Sequence, residues 1–167
     1  NMSILIEWLI MIVEIVSFKN KYSKYFYELN YDWLNEYFYV EDYDKKILKN
    51  CKKEIIDKGG HIFFAIYDFN VVGTMALMPR GKGVYELNKM AVRKDLRGNG
   101  IGNQLIKFII DYSKDKGFNS VILYSNTVLK NSIHLYNKFG FKKIDNPDAP
   151  YERSDIKMEL KLSDIWS

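Results

Sequence analysis

The stretch Met90–Gly117, MAVRKDLRGNGIGNQLIKFIIDYSKDKG, decides how the rest of the chain is read. It reads as the end of a strand, a glycine-rich turn and an amphipathic helix. The turn, Arg97-Gly98-Asn99-Gly100-Ile101-Gly102, places three glycines in five positions, so backbone N–H groups can converge on a ligand with no Cβ atoms in the way. A helix opening at Gly102 adds unpaired N–H groups and the positive end of its dipole, worth roughly 0.3–1 kcal/mol per charge at an exposed site. The stretch suits an anion, and a phosphorylated cofactor is the first expectation.

Working upstream, Val84–Val92 reads as the strand that feeds the turn. Strict alternation puts Glu86, Asn88, Met90 and Val92 on one face and Tyr85, Leu87, Lys89 and Ala91 on the other. Glu86 is then a carboxylate beside the expected cofactor, either a candidate base or half of a structural ion pair. Before it, His61–Tyr67 and Val71–Met78 form a hairpin through Asp68-Phe69-Asn70, and Arg80-Gly81-Lys82-Gly83 turns the chain again. An antiparallel meander results.

Downstream, Ile101, Leu105, Phe108, Ile109 and Tyr112 make one apolar helical face, which Lys116-Gly117 ends. Ser120–Ser125 (SVILYS) is nearly all apolar, as a buried strand is, and strand, helix and strand form a right-handed crossover that makes 84–92 and 120–125 parallel. Leu129–Phe139 is a second helix, stopped at Gly140. Phe141–Ile144 and Ile156–Leu162 are the last strands, joined by a loop bearing Pro147 and Pro150.

The amino-terminal part is less regular. Ile4–Val16 is apolar but broken by Glu7 and Glu14, and it is shorter than the roughly 20 residues of a membrane span. Neither a span nor a signal peptide is expected. Ile12–Val16 reads as a first strand, with residues 1–11 as an extension and Met11 as an alternative start. Lys21–Tyr39 carries Tyr22, Phe26, Leu29, Trp33, Leu34 and Tyr37 at helical intervals, with more tyrosines than one stripe can bury, so some are free to line a cleft or an interface. Asp44–Lys58 reads as a polar helix ended by Gly59-Gly60.

Composition bounds the rest. The chain has 167 residues, 47% hydrophobic and 28% charged, with three prolines. That fits one folded domain over 12–167 and excludes a disordered chain. The net charge of +4 comes from lysines interspersed with acids, which reads as a solvated surface and not as a nucleic-acid footprint. Cys51 is the only cysteine and His61 and His134 the only histidines. An intrachain disulfide is excluded, no zinc pattern exists, and a cytoplasmic setting is expected.

The glycine turn fits neither standard nucleotide fingerprint. A dinucleotide fold needs G-x-G-x-x-G after its first strand, and this chain has G-x-G-x-G in mid-chain behind a meander. No Gly-Lys-Ser/Thr closes it as a P-loop requires. From the residues alone, an ordinary glycine-rich connection stays open.

With its neighbours, the turn resembles the GCN5-related N-acetyltransferases, the GNAT superfamily. The resemblance rests on Tyr85–Val92 (YELNKMAV), on Arg97–Gly102, which matches the family's Q/R-x-x-G-x-G/A signature in full, and on Asn131–Phe141 (NSIHLYNKFGF). It covers roughly Ile12 to Leu162. It implies an α/β fold of the α+β kind: a central, mostly antiparallel sheet of about seven strands with a splayed parallel pair, flanked by about four helices.

The resemblance also implies roles. Met90, Ala91 and Val92 would offer main-chain hydrogen bonds to the pantetheine arm of acetyl-CoA, and Arg97, Gly98, Asn99, Gly100, Ile101 and Gly102 would bind its pyrophosphate. Asn131 would touch the cofactor arm. Tyr136 would face the thioester sulfur, and Glu86 would be the base, directly or through water, with no metal. The expected partners are acetyl-CoA and an amine, without nucleic acid or membrane, in a monomer or homodimer. A non-catalytic acyl-CoA-binding module, or an interaction protein using the aromatic helices, remains the alternative. The amine itself is not legible.

Overall fold

The computed structural model describes residues 11–146 and 149–162. Apart from Met11, the expected amino-terminal extension lies outside the described residues, as does Pro147 of the late loop. One sheet of seven strands organises the molecule, in the order β1-β2-β3-β4-β5-β7-β6. The strands are β1 (Glu14–Ser17), β2 (His61–Tyr67), β3 (Asn70–Pro79), β4 (Val84–Val92), β5 (Ser120–Ser125), β6 (Lys142–Ile144) and β7 (Ile156–Lys161). Neighbours are antiparallel except β4 and β5. The helices are α1 (Ser23–Tyr37), α2 (Asp42–Lys49), the short α3 (Cys51–Glu54), α4 (Ile101–Asp115) and α5 (Lys130–Lys138). The expected mixed sheet with one parallel pair is the observed one. Among the described residues, no helix is long and apolar enough to cross a membrane.

Each face of the sheet has its own core. On one side α4 buries Ile101, Leu105, Ile106, Ile109 and Ile110 against Phe63, Met75, Leu77, Leu87, Val121 and Leu123. Five such side chains at helical spacing, at about 1.5–3 kcal/mol each, suffice to fix that helix on the sheet. On the other side Phe26, Leu34, Ile47, Leu48 and Ile55 of the amino-terminal helices cover Ile62, Phe64, Ala76 and Met78.

Two expectations change. The polar helix expected over Asp44–Lys58 begins at Asp42, because Glu41 and Asp44 form a reciprocal capping box, and it breaks at Asn50, whose φ of −129° and ψ of 43° are not helical. The first strand lies at Glu14–Ser17, one residue downstream of the expected end. Gln104 of α4 sets its approach, accepting from the Val13 N–H (3.0 Å) and donating to the Met11 carbonyl (2.6 Å).

The third difference positions the site. Thr74 pairs with Ala91 but Ala76 pairs with Asn88, so Lys89 and Met90 together oppose Met75. Lys89 has φ of +52°. This is a β-bulge, and the extra residue reverses the alternation beyond it. Met90 and Val92 pack on the α4 side with Tyr85 and Leu87. Lys89 bonds to Asp44 of α2 at 2.7 Å, on the other side. The uninterrupted alternation read from the sequence is therefore wrong after Asn88.

Candidate active site

β4 and β5 pair only from Val84–Ser120 to Glu86–Ile122, then part. Beyond that point β5 pairs with β7 as far as Ser125, while β4 stays with β3 as far as Val92. The gap opens into a cleft of about 1000 Å³, lined by β4 from Leu87 to Val92, the end of β5, the glycine turn, α5 and one flank of α1. Beyond Glu86, β4 has no strand partner on its β5 edge among the described residues, so that edge of its backbone borders the cleft.

At one end stands the glycine turn. Gly98 and Gly100 have φ of +81° and +83°, a region that side chains disfavour, and Gly100 is the N-cap from which α4 springs. The first-turn N–H groups of α4 have no acceptor inside the helix and are available to an anion. Arg97 lies across this end. Its Nε donates to the Val92 carbonyl (3.0 Å) and its Nη1 to Glu36 Oε2 of α1 (2.6 Å). The Arg97 hydrogen bond holds the Glu36 carboxyl below its ordinary value.

Tyr136 lies on α5 and lines the cleft with Asn131. It is half-buried and packs edge-on to Phe141 with ring centroids 6.0 Å apart. Burial alone pushes its phenol up to about 12. Asn131 is exposed on the first turn of α5. Met90, Ala91, Val92, Arg97, Gly98, Gly100, Ile101 and Gly102 line the same cleft. Asn99 faces inward to the loop, donating to the carbonyls of Leu96 (2.9 Å) and Arg97 (3.4 Å).

Glu86 is not among the cleft-lining residues. It is 1% exposed. Its Oε1 accepts from Arg80 Nε and Nη2 at 3.0 and 2.8 Å, and its Oε2 from Asn88 Nδ2 at 2.8 Å. Buried and off the cleft lining, its carboxylate makes no direct contact with a molecule in the cleft. Asn88 does line the cleft, and its Oδ1 is buried with no hydrogen-bond partner. The orientation of that amide follows from chemistry, since only the NH2 end can donate to a carboxylate.

The α1–α2 side of the cleft carries a cluster the sequence did not disclose. Lys89 Nζ donates to Asp44 Oδ1 (2.7 Å) and to the Tyr151 hydroxyl (3.2 Å). Arg153 donates to both Asp44 oxygens (2.7 and 3.0 Å) and to Glu41 Oε2 (2.8 Å). Tyr39 donates to Glu152. Burial pulls the Lys89 ammonium down and Asp44 only partly restores it. For Asp44, burial works upward, and Arg153 and Lys89 overcome it. A lysine in mid-strand was the available signal, but without the bulge its side chain points the wrong way. Among the described residues, no group of three or more His, Cys, Asp or Glu is placed to hold a metal ion.

The chain is similar to known proteins. A model of the Acetyltransferase (GNAT) family matches residues 16–141. Probable N-acetyltransferase 14 of Xenopus tropicalis is 37% identical over 83 residues, covering 48% of this chain and 40% of that protein. The chain spans about half the length of the curated relatives it matches. Among solved structures, an acetyltransferase of the GNAT family from Staphylococcus aureus superposes with a TM-score of 0.81 at 21% identity, over 90% of this chain and 99% of its own. The PaiA N-acetyltransferase of Thermoplasma acidophilum, solved in complex with coenzyme A, does so with a TM-score of 0.72 at 22% identity, over 90% and 99%.

Proposed function

The chain belongs to the GNAT acetyltransferase family, and from that premise we propose that it moves an acetyl group from acetyl-CoA directly to a primary amine. The observation that carries this reading is the parting of β4 and β5 over a cleft that has the glycine turn and the start of α4 at one end and the Tyr136 phenol on its wall. The acyl arm lies along Met90–Val92, the pyrophosphate on Arg97–Gly102, and Asn131 flanks the arm. A structural neighbour solved with coenzyme A supports the donor.

The reaction forms an N–C bond and breaks the C–S bond. An alkylamine of pKa about 10.4 is mostly protonated at neutral pH and must lose a proton before it attacks. Glu86 enters this step only through Asn88. Asn88, held by Glu86, lines the wall beside the amine, and water in the open cleft takes the proton. The tetrahedral oxyanion is met by a main-chain N–H of the bulge near Met90 or Ala91. The departing thiolate is met by Tyr136. With the phenol near 12 and an ordinary thiol near 8.5, full proton transfer is uphill by about 3.5 pK units, or roughly 5 kcal/mol. Tyr136 therefore stabilises the sulfur by hydrogen bonding, and the thiolate is protonated from solvent.

The engagement of Glu86 by Arg80 favours one second reading, a non-catalytic acyl-CoA-binding module. Purified protein mixed with acetyl-CoA and a panel of amines separates the two. Release of free thiol that depends on the amine supports the transferase, and saturable acetyl-CoA binding without thiol release from any amine supports the binding module.

A further inference from the structure

The described residues that line the cleft include no aspartate and no glutamate, but five cations: Lys89, Arg97, Lys130, Lys138 and Arg153. A polyanionic donor accounts for three. Arg97 stands on the glycine turn, and Lys130 and Lys138 stand on α5, with Lys138 bonded to Asn103 Oδ1 of α4 at 2.9 Å. Lys89 and Arg153 stand on the other flank, against α2 and the late loop. No phosphate of the donor is expected there.

Asp44 and Glu41 hold this second pair from behind, and neither carboxylate lines the cleft. A lysine has three N–H donors and an arginine five. Asp44 and Tyr151 take two from Lys89, and Asp44 and Glu41 take three from Arg153. Both side chains line the cleft, with Lys89 3% and Arg153 13% exposed, so the donors left over meet a ligand only on a narrow patch of the wall. Beside them Trp33, Leu34, Phe38 and Tyr151 supply an apolar surface. Asp44 and Glu41 balance the two cations but lie behind them and off the cleft lining, so a polycation such as a polyamine would meet N–H donors there and no carboxylate. A carboxylate meets a matched pair of donors.

Resting on the transferase reading above, we propose that the acceptor is an amine that also carries a carboxylate on a small apolar body, its carboxylate held by Lys89 and Arg153 and its amine turned toward Asn88. An aromatic amino acid is the simplest molecule of this class.

The test is thiol release with acetyl-CoA and phenylalanine, phenylalaninamide, 2-phenylethylamine and spermidine as acceptors. Phenylalanine is expected to exceed each of the others at least ten-fold in kcat/KM. The amide is the stringent control, because its less basic amine is more readily deprotonated and should win if the carboxylate is not recognised. Because Arg153 also ties down Asp44, Arg153→Gln is read as the ratio of kcat/KM for phenylalanine to that for the amide, which does not depend on the folded fraction and should fall about ten-fold; an unchanged ratio overturns the proposal. A preference for spermidine, or equal use of acid and amide by the wild type, overturns the proposal without any variant. If no amine releases thiol, the transferase reading falls, and binding decides the carboxylate site alone. In that case 3-phenylpropionate must raise the melting temperature of the CoA-loaded protein and 3-phenylpropionamide must not; the opposite result removes the site.

Discussion

The glycine-turn end of the cleft is made from the backbone of six consecutive residues, Arg97–Gly102, whereas the α1–α2 side is made from side chains of three segments: Asp44 on α2, Lys89 on the β4 bulge, and Tyr151 and Arg153 on the late loop. The first end needs only glycine conformations and the opening of a helix, so it places few demands on tertiary packing. The second buries charges whose desolvation is offset only while every partner is present. One end is robust and local; the other is cooperative and long-range, and the two should answer differently to substitution.

The largest effect is expected at Asp44, which is 0% exposed and receives both Lys89 and Arg153. Asp44→Asn leaves two buried cations short of a partner, and a loss of about 3–5 kcal/mol, or roughly 10 °C in melting temperature, should follow. Scanning calorimetry checks it, and a change within 2 °C or so would show that the cluster is not cooperative. The pH dependence has a definite sign. The folded Asp44 pKa is lowered, so its contribution is complete above the unfolded value near 4 and is lost as the pH falls through the lower folded value.

Tyr136→Phe comes next. Turnover should fall about 10–100-fold, with KM for acetyl-CoA little changed, because in the proposed reaction the phenol meets the leaving sulfur and takes no part in cofactor binding. With the phenol at about 12, the wild-type rate should rise with pH as the amine deprotonates, with no descending limb from Tyr136 below about pH 10. Steady-state kinetics across pH check both statements, and equal turnover in the variant removes Tyr136 from the chemistry.

At the robust end, Arg97→Glu should weaken acetyl-CoA binding about ten-fold or more while shifting the melting temperature by only a degree or two, since Arg97 pairs at the surface with Glu36. A large stability loss would erase the contrast between the two ends. The smallest effect lies outside the cleft. Asp68 and Phe69 form the two-residue β2–β3 turn with φ of 47° and 62°, and Phe69 is fully exposed. Phe69→Gly should raise the melting temperature by about 2–4 °C, because glycine takes this conformation without strain.

The same contrast explains what could be read from the residues. The antiparallel meander, the parallel pair and the turn Arg97–Gly102 rest on periodicity and on glycine spacing, which are local signals. The bulge at Lys89 is not local. Nothing in YELNKMAV marks an extra residue, because it is defined by how β4 lies against β3, and one inserted residue sends Lys89 to the face of Glu86 and Met90 away from it. Glu86 illustrates a second limit. Its place on the strand was legible, but Arg80, six residues earlier across a turn, claims its carboxylate, and a partner of that kind is visible only once the hairpin is folded. The place of Tyr136 and Asn131 follows from the motif that carries them, which the chain lays along the cleft.

The central claim is that the gap between β4 and β5 receives acetyl-CoA with its pyrophosphate on the glycine turn. Isothermal titration of acetyl-CoA, set against acetyl-pantetheine, which lacks the pyrophosphate and nucleotide, tests it most directly. Saturable one-to-one binding of acetyl-CoA, at least a hundred-fold tighter than the truncated compound and weakened by Arg97→Glu, is the expected result. Equal affinity for the two compounds, or no saturable binding of acetyl-CoA, would contradict it.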